Sequence, residues 1–91
     1  MYKIQQYSYD RAAALGVTIR PSADSTKKID VYRKNVFQCS IGDIRYSDYA
    51  TYRVSHGVTY ANVRRCLYRK RHDADRHYIG TPGYYSSNIL W

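Results

Sequence analysis

Glutamate is missing altogether from these 91 residues, and methionine, tryptophan and phenylalanine occur once each. Acid and base roles are left to seven aspartates and three histidines, a narrow set for an enzyme. Cys39 and Cys66 form no Cys-x-x-Cys pair, which excludes a disulfide framework or a zinc module. A single bridge stays open, and the favoured reading is two small buried hydrophobes. No run of about 18 apolar residues exists to cross a membrane as a helix. The opening Met1-Tyr2-Lys3-Ile4-Gln5-Gln6 lacks the apolar stretch of a secretory signal, so the chain is expected to be made in the cytoplasm or nucleus. Leu, Ile, Val and Phe together number only 17, close to the composition at which chains fail to fold. The scarcity of proline, two residues, and the lack of Glu argue for order.

Tyrosine makes up the apolar deficit, with 12 residues, each a large ring with a polar tip suited to half-buried positions and contact surfaces. Fifteen Lys and Arg against seven Asp leave a net charge of +8. That balance favours polyanions or an acidic protein partner. Ten of the cations are Arg, whose planar guanidinium grips carboxylate or phosphate in pairs of bonds and stacks on aromatic rings. A chain of this length makes a single small domain, 1–91, with a thin core.

Local patterns give an α+β order. Ser8-Tyr9-Asp10-Arg11-Ala12-Ala13-Ala14-Leu15 before Gly16 predicts a short helix with Ser8 as N-cap and Gly16 as C-cap. Val17–Arg20 reads as extended up to Pro21, and 22–28 as a loop. Ile29–Tyr32 and Val36–Ile41, joined by Arg33-Lys34-Asn35, predict a β-hairpin with Phe37, Cys39 and Ile41 on one face. Tyr46, Tyr49 and Tyr52 recur at steps of three in a Tyr-rich turn, and 54–57 breaks the chain. From Thr59 to His77 the spacing of Tyr60, Val63, Leu67 and Ala74 predicts one long amphipathic helix with Arg65, Arg69, His72 and Arg76 on its polar face. Gly80-Thr81-Pro82-Gly83 reads as a turn. The ending Ile89-Leu90-Trp91 reads as a docked tail, either on this chain or in a partner.

The cluster His72-Asp73-Ala74-Asp75-Arg76-His77 tempts a metal-dependent nuclease reading, but histidines five apart point to different sides of a helix. Arg69 with Asp73 and Arg71 with Asp75 are read instead as surface pairs. No metal, cofactor or catalytic residue is assigned. The stronger signal is the basic helix, with Arg64, Arg65, Arg69, Lys70, Arg71 and Arg76 as phosphate or partner contacts. Tyr46, Tyr49, Tyr52, Tyr68, Tyr84, Tyr85 and Trp91 are the aromatic contacts or core.

The order of the hairpin, Ile41-Gly42, Tyr46-Ser47-Asp48-Tyr49, Leu67-Tyr68-Arg69-Lys70-Arg71-His72, a glycine-containing turn and Ile89-Leu90-Trp91 resembles a group of small basic proteins. These are encoded by nucleocytoplasmic large DNA viruses, the phycodnavirus and mimivirus relatives. The likeness spans about Lys28 to Trp91 and departs at Tyr52-Arg53-Val54-Ser55-His56-Gly57. It implies a setting, the virion, and no catalytic residue. The expectation is a non-enzymatic virion component, a minor capsid or cement-type protein bridging capsid proteins of the same particle through Arg and Tyr. The alternative is sequence-nonspecific binding of DNA or RNA on the packaged genome.

Overall fold

Ala12-Ala13-Ala14 is a run of the best helix former. In the computed structural model, which describes residues 1–91, it lies in helix α1, Gln6–Leu15. Gly16 closes the helix at φ 74°, a left-handed conformation that suits a residue without Cβ. The start differs from expectation. Gln5 is the N-cap, and Ser8 is buried inside α1 with its Oγ donating to the Ile89 carbonyl at 2.8 Å. A buried hydroxyl must find an acceptor, and here a distant carbonyl takes the place of the local cap.

The extended segment after Gly16 becomes strand β1, Thr18–Pro21, antiparallel to β2, Lys27–Arg33, which pairs in turn with β3, Val36–Asp43. The expected hairpin is thus two strands of a three-stranded sheet in the order β1-β2-β3. Lys34 and Asn35 take φ 51° and 65°, the two-residue turn whose twist matches the flanking strands.

One face prediction fails. Val31 pairs with Cys39, but the next residue, Tyr32, pairs with Phe37, so Gln38 is an extra residue in β3. A bulge of one residue reverses the facing of everything beyond it. Ile29, Val31 and Ile41 therefore stay in the core, while Phe37 turns to the other side, edge-on to Tyr32 at 5.8 Å and half exposed.

Helix α2, Tyr49–Ser55, begins at Asp48, whose side chain accepts from Thr51 N at 2.8 Å. Tyr46 lies before this cap, so the three tyrosines do not share one helical face. Helix α3 runs Val58–Arg71 and stops short of the expected His77. Three cations in its last turn suit the negative end of the helix dipole, whereas Asp73 and Asp75 oppose it. Turns continue from His72, whose carbonyl accepts from Arg76 N at 3.0 Å.

The inward face of α3 is also different from that expected. Ala61 and Tyr68 are buried; Tyr60, Val63 and Leu67 are exposed. Tyr68 stacks flat on Trp91 at 4.3 Å and 5° and donates to Ser86 Oγ at 3.3 Å. A tyrosine ring buries more area than a leucine and satisfies its own hydroxyl here.

The tail is helical. Thr81 caps α4, Pro82–Ile89, with Pro82 in its first turn, where a missing N–H costs nothing. The expected turn at 80–83 is therefore partly the start of a helix. α4 packs on α1 and β3, and Tyr85, Ile89, Leu90 and Trp91 are buried in this chain's own core. The result is an α+β molecule with four helices and a three-stranded antiparallel sheet. Its radius of gyration, 12.3 Å, matches the ~12 Å of a compact 91-residue domain.

Candidate nucleic-acid interface

The start of α2 is joined to the sheet by a buried ion pair, and α3 to the C-terminal tail by the Tyr68–Trp91 stack. Lys28 Nζ donates to Asp48 Oδ2 at 2.8 Å with side-chain exposures of 4% and 0%. Tyr2 Oη donates to the same oxygen at 2.7 Å, and burial together with the Asp48 charge pushes the Tyr2 phenol well above its usual value. With the Thr51 N–H, Asp48 has three donors, which is what a buried carboxylate requires. On the far side Tyr49 meets Tyr7 edge-on at 5.2 Å, and Tyr52 lies 6.3 Å from Trp91. These contacts hold α2, on which α3 packs in turn.

The six basic residues expected to act together are divided by the helix. Arg65, Arg69, Lys70 and Arg76 line one shallow groove of about 610 Å³, with Asn62, Cys66 and Asp73. Arg64 and Arg71 line a different cavity, with His72. The cause is the helical period: steps of four keep Arg65 and Arg69 together, whereas Arg64 and Arg71 fall on the neighbouring flank.

In the first groove Arg65 is held in place by stacking 4.1 Å over the Tyr49 ring and donating to Asn62 Oδ1 at 3.2 Å. Arg76 reaches Asp73 Oδ1 at 3.3 Å, and its Nε is buried without a partner. Arg69 makes no ion pair. Partial burial, then repulsion from Arg65 and Arg76 and also Arg11, holds its guanidinium below the usual value. Asp73 is the one carboxylate in the groove. The expected surface pairs are replaced: Asp73 meets Arg76 and, at 3.5 Å, His77, while Asp75 lies 3.7 Å from His72 Nδ1. The helix ends too early for Arg69 to meet Asp73 or Arg71 to meet Asp75 through helical spacing.

No three of the His, Cys and Asp side chains converge as a metal-ligand set. Both cysteines are free thiols, and Cys66 is exposed, against the expectation of two buried hydrophobes. Burial, with Asp30 nearby, raises the Cys39 thiol above its usual value. Among the aromatic candidates Tyr49, Tyr68, Tyr85 and Trp91 are buried, Tyr52 and Tyr84 half-buried, and Tyr46 exposed. The core has absorbed most of the rings that the sequence offers for contact. Arg11 of α1 does not line the groove, and its guanidinium donates to the Asn88 carbonyl at 2.9 Å. The groove residue outside the expected set is Asn62, which holds Arg65. No helix is long and apolar enough to cross a membrane. The chain matches no known family, curated protein or solved structure.

Proposed function

We propose that the protein is a non-enzymatic binding module that grips the phosphate backbone of nucleic acid, without regard to sequence, through the groove on α3. One observation carries this: Arg65, Arg69, Lys70 and Arg76 crowd into a groove that holds a single carboxylate. Like charges at such spacing repel, and a row of phosphates relieves that repulsion while releasing its own counterions. Arg65 and Arg69 stand about 6 Å apart along the helix axis, and contacts of this kind orient a strand without reading its bases. On the resemblance to proteins of large DNA viruses, the setting is the packaged genome.

Binding to duplex DNA should weaken steeply with salt. Four phosphate contacts give a slope of log K against log salt of about −3.6, and Arg65→Glu with Arg69→Glu should flatten it by about 2 on every sequence alike. Fluorescence anisotropy with two unrelated duplexes measures this. Salt-insensitive binding, or a double variant that binds like the original chain, sinks the proposal.

A second reading, a minor capsid or cement protein, is favoured by one observation. Tyr60, Val63 and Leu67 form an exposed apolar stripe on the same helix, beside Arg64, Lys70 and Arg71. An apolar centre with an arginine rim suits a capsid protein whose contact face carries carboxylates. The burial of Trp91 in this chain's own core removes the other support for bridging, a tail free to enter a partner. Mass spectrometry of stripped shells separates the readings: a chain that leaves with the DNA is not part of the shell.

A further inference from the structure

The second cavity next to α3 has about 600 Å³, within the range of small-ligand sites. Its lining combines two chemistries. Arg64, Arg71 and His72 supply cationic and hydrogen-bonding groups; Tyr46, Leu90 and Trp91 supply aromatic and apolar surface. The other charges there are committed. Lys28 belongs to Asp48, and Asp43 is clasped by Arg45 at 2.7 Å, which holds its carboxyl at about 2. Arg64 and Arg71 make no ion pair. The Arg64 Nε is buried without any partner, a loss that a native site normally repairs with a ligand or water. Tyr46 is 67% exposed, with only the Arg45 guanidinium over its ring at 5.6 Å.

We propose that this cavity binds a nucleoside monophosphate group, its phosphate on Arg64 and Arg71 and its base on the exposed Tyr46 ring, next to the buried Trp91. Arginine suits the phosphate because its fork makes paired bonds to two oxygens. A bare anion would leave the aromatic part of the wall unused; a nucleoside without phosphate would leave two cations unpaired. Two sources share this chemistry, a free mononucleotide and the 5′-phosphorylated end of a strand.

Trp91 is the only tryptophan and lines the cavity, so its fluorescence reports occupancy. AMP should change the emission saturably, with inorganic phosphate and adenosine each at least about tenfold weaker. Arg71 is exposed and makes no ion pair, so Arg71→Ala should keep the circular dichroism spectrum and weaken AMP by about tenfold or more, the effect of losing a charged hydrogen bond. Tyr46→Ala should weaken it severalfold, and Lys3→Ala, an exposed cation that lines neither cavity, should leave it unchanged. The proposal is overturned if AMP gives no saturable signal, if inorganic phosphate binds as tightly as AMP, or if Arg71→Ala binds AMP like the unaltered chain. Competition on the Arg65→Glu, Arg69→Glu background keeps this test independent of backbone binding. There, displacement of AMP by a 5′-phosphorylated oligonucleotide, and not by its unphosphorylated twin, supports the strand end as ligand. Failure of both to displace supports the free nucleotide.

Discussion

Asp48 carries more of the structure than any other polar residue. It caps α2, receives the Tyr2 hydroxyl and neutralises a buried lysine. Removing one partner of a buried ion pair leaves the other uncompensated, so Asp48→Ala should destabilise the fold by about 3–5 kcal/mol in urea unfolding. Tyr2→Phe, which removes a hydrogen bond to that charged carboxylate, should cost about 1.5–3 kcal/mol. Asp30 is the buried one of three carboxylates, with Asp24 and Asp43, that are held below their usual values and so contribute to the acid limit. Burial alone would raise its carboxyl, but hydrogen bonds from Ser22 Oγ and Ser40 Oγ, both at 2.6 Å, and from Ala23 N outweigh that and hold it below the usual value. A group with a depressed folded value binds its proton more readily when unfolded. Its stabilisation is complete above the unfolded value of about 3.9 and is lost as pH falls through the folded one. Urea midpoints should drop as pH falls below about 4, and Asp30→Asn should make that drop shallower. An unchanged slope would show that these hydrogen bonds do not favour the charged form.

At the scale of elements, what was legible depended on how far each signal reaches. The alanine run and Gly16 foretold α1, and Asn35 foretold the hairpin turn, because propensity and turn chemistry act within a few residues. The bulge at Gln38 left no such mark, and it moved Phe37 out of the core. The facing of α3 was misread for a related reason. Tyr60, Val63 and Leu67 have regular helical spacing, but the larger stacking surface comes from Trp91, far along the chain, and selects Tyr68. The two faces make opposite predictions. Leu67→Gln, on the open side, should change stability by less than about 0.5 kcal/mol, while Ala61→Leu, on the closed side, should cost about 1–3 kcal/mol by overpacking. Thermal unfolding of the two variants checks the assignment, and a costly Leu67→Gln would reverse it.

For the whole molecule, charge and core size act together. Only 19 of 91 residues are buried, and the net charge is +8, so a thin core holds together a self-repelling surface. The melting temperature should therefore rise as sodium chloride increases from about 0.02 to 0.3 M, over which screening shortens to below 10 Å. A falling melting temperature would mean that attractive surface pairs outweigh the repulsion. The basic character of α3, the scarcity of groups for catalysis and the α+β class follow from the sequence alone, since composition and short-range pattern determine them. The tertiary structure decided which cations act together. Arg65, Arg69, Lys70 and Arg76 share one groove, and Arg64 and Arg71 belong to another cavity. It also placed Trp91 inside this chain and joined Lys28 to Asp48. Those outcomes depend on area and charge brought together from distant segments, and no local pattern encodes which distant partner will bury most.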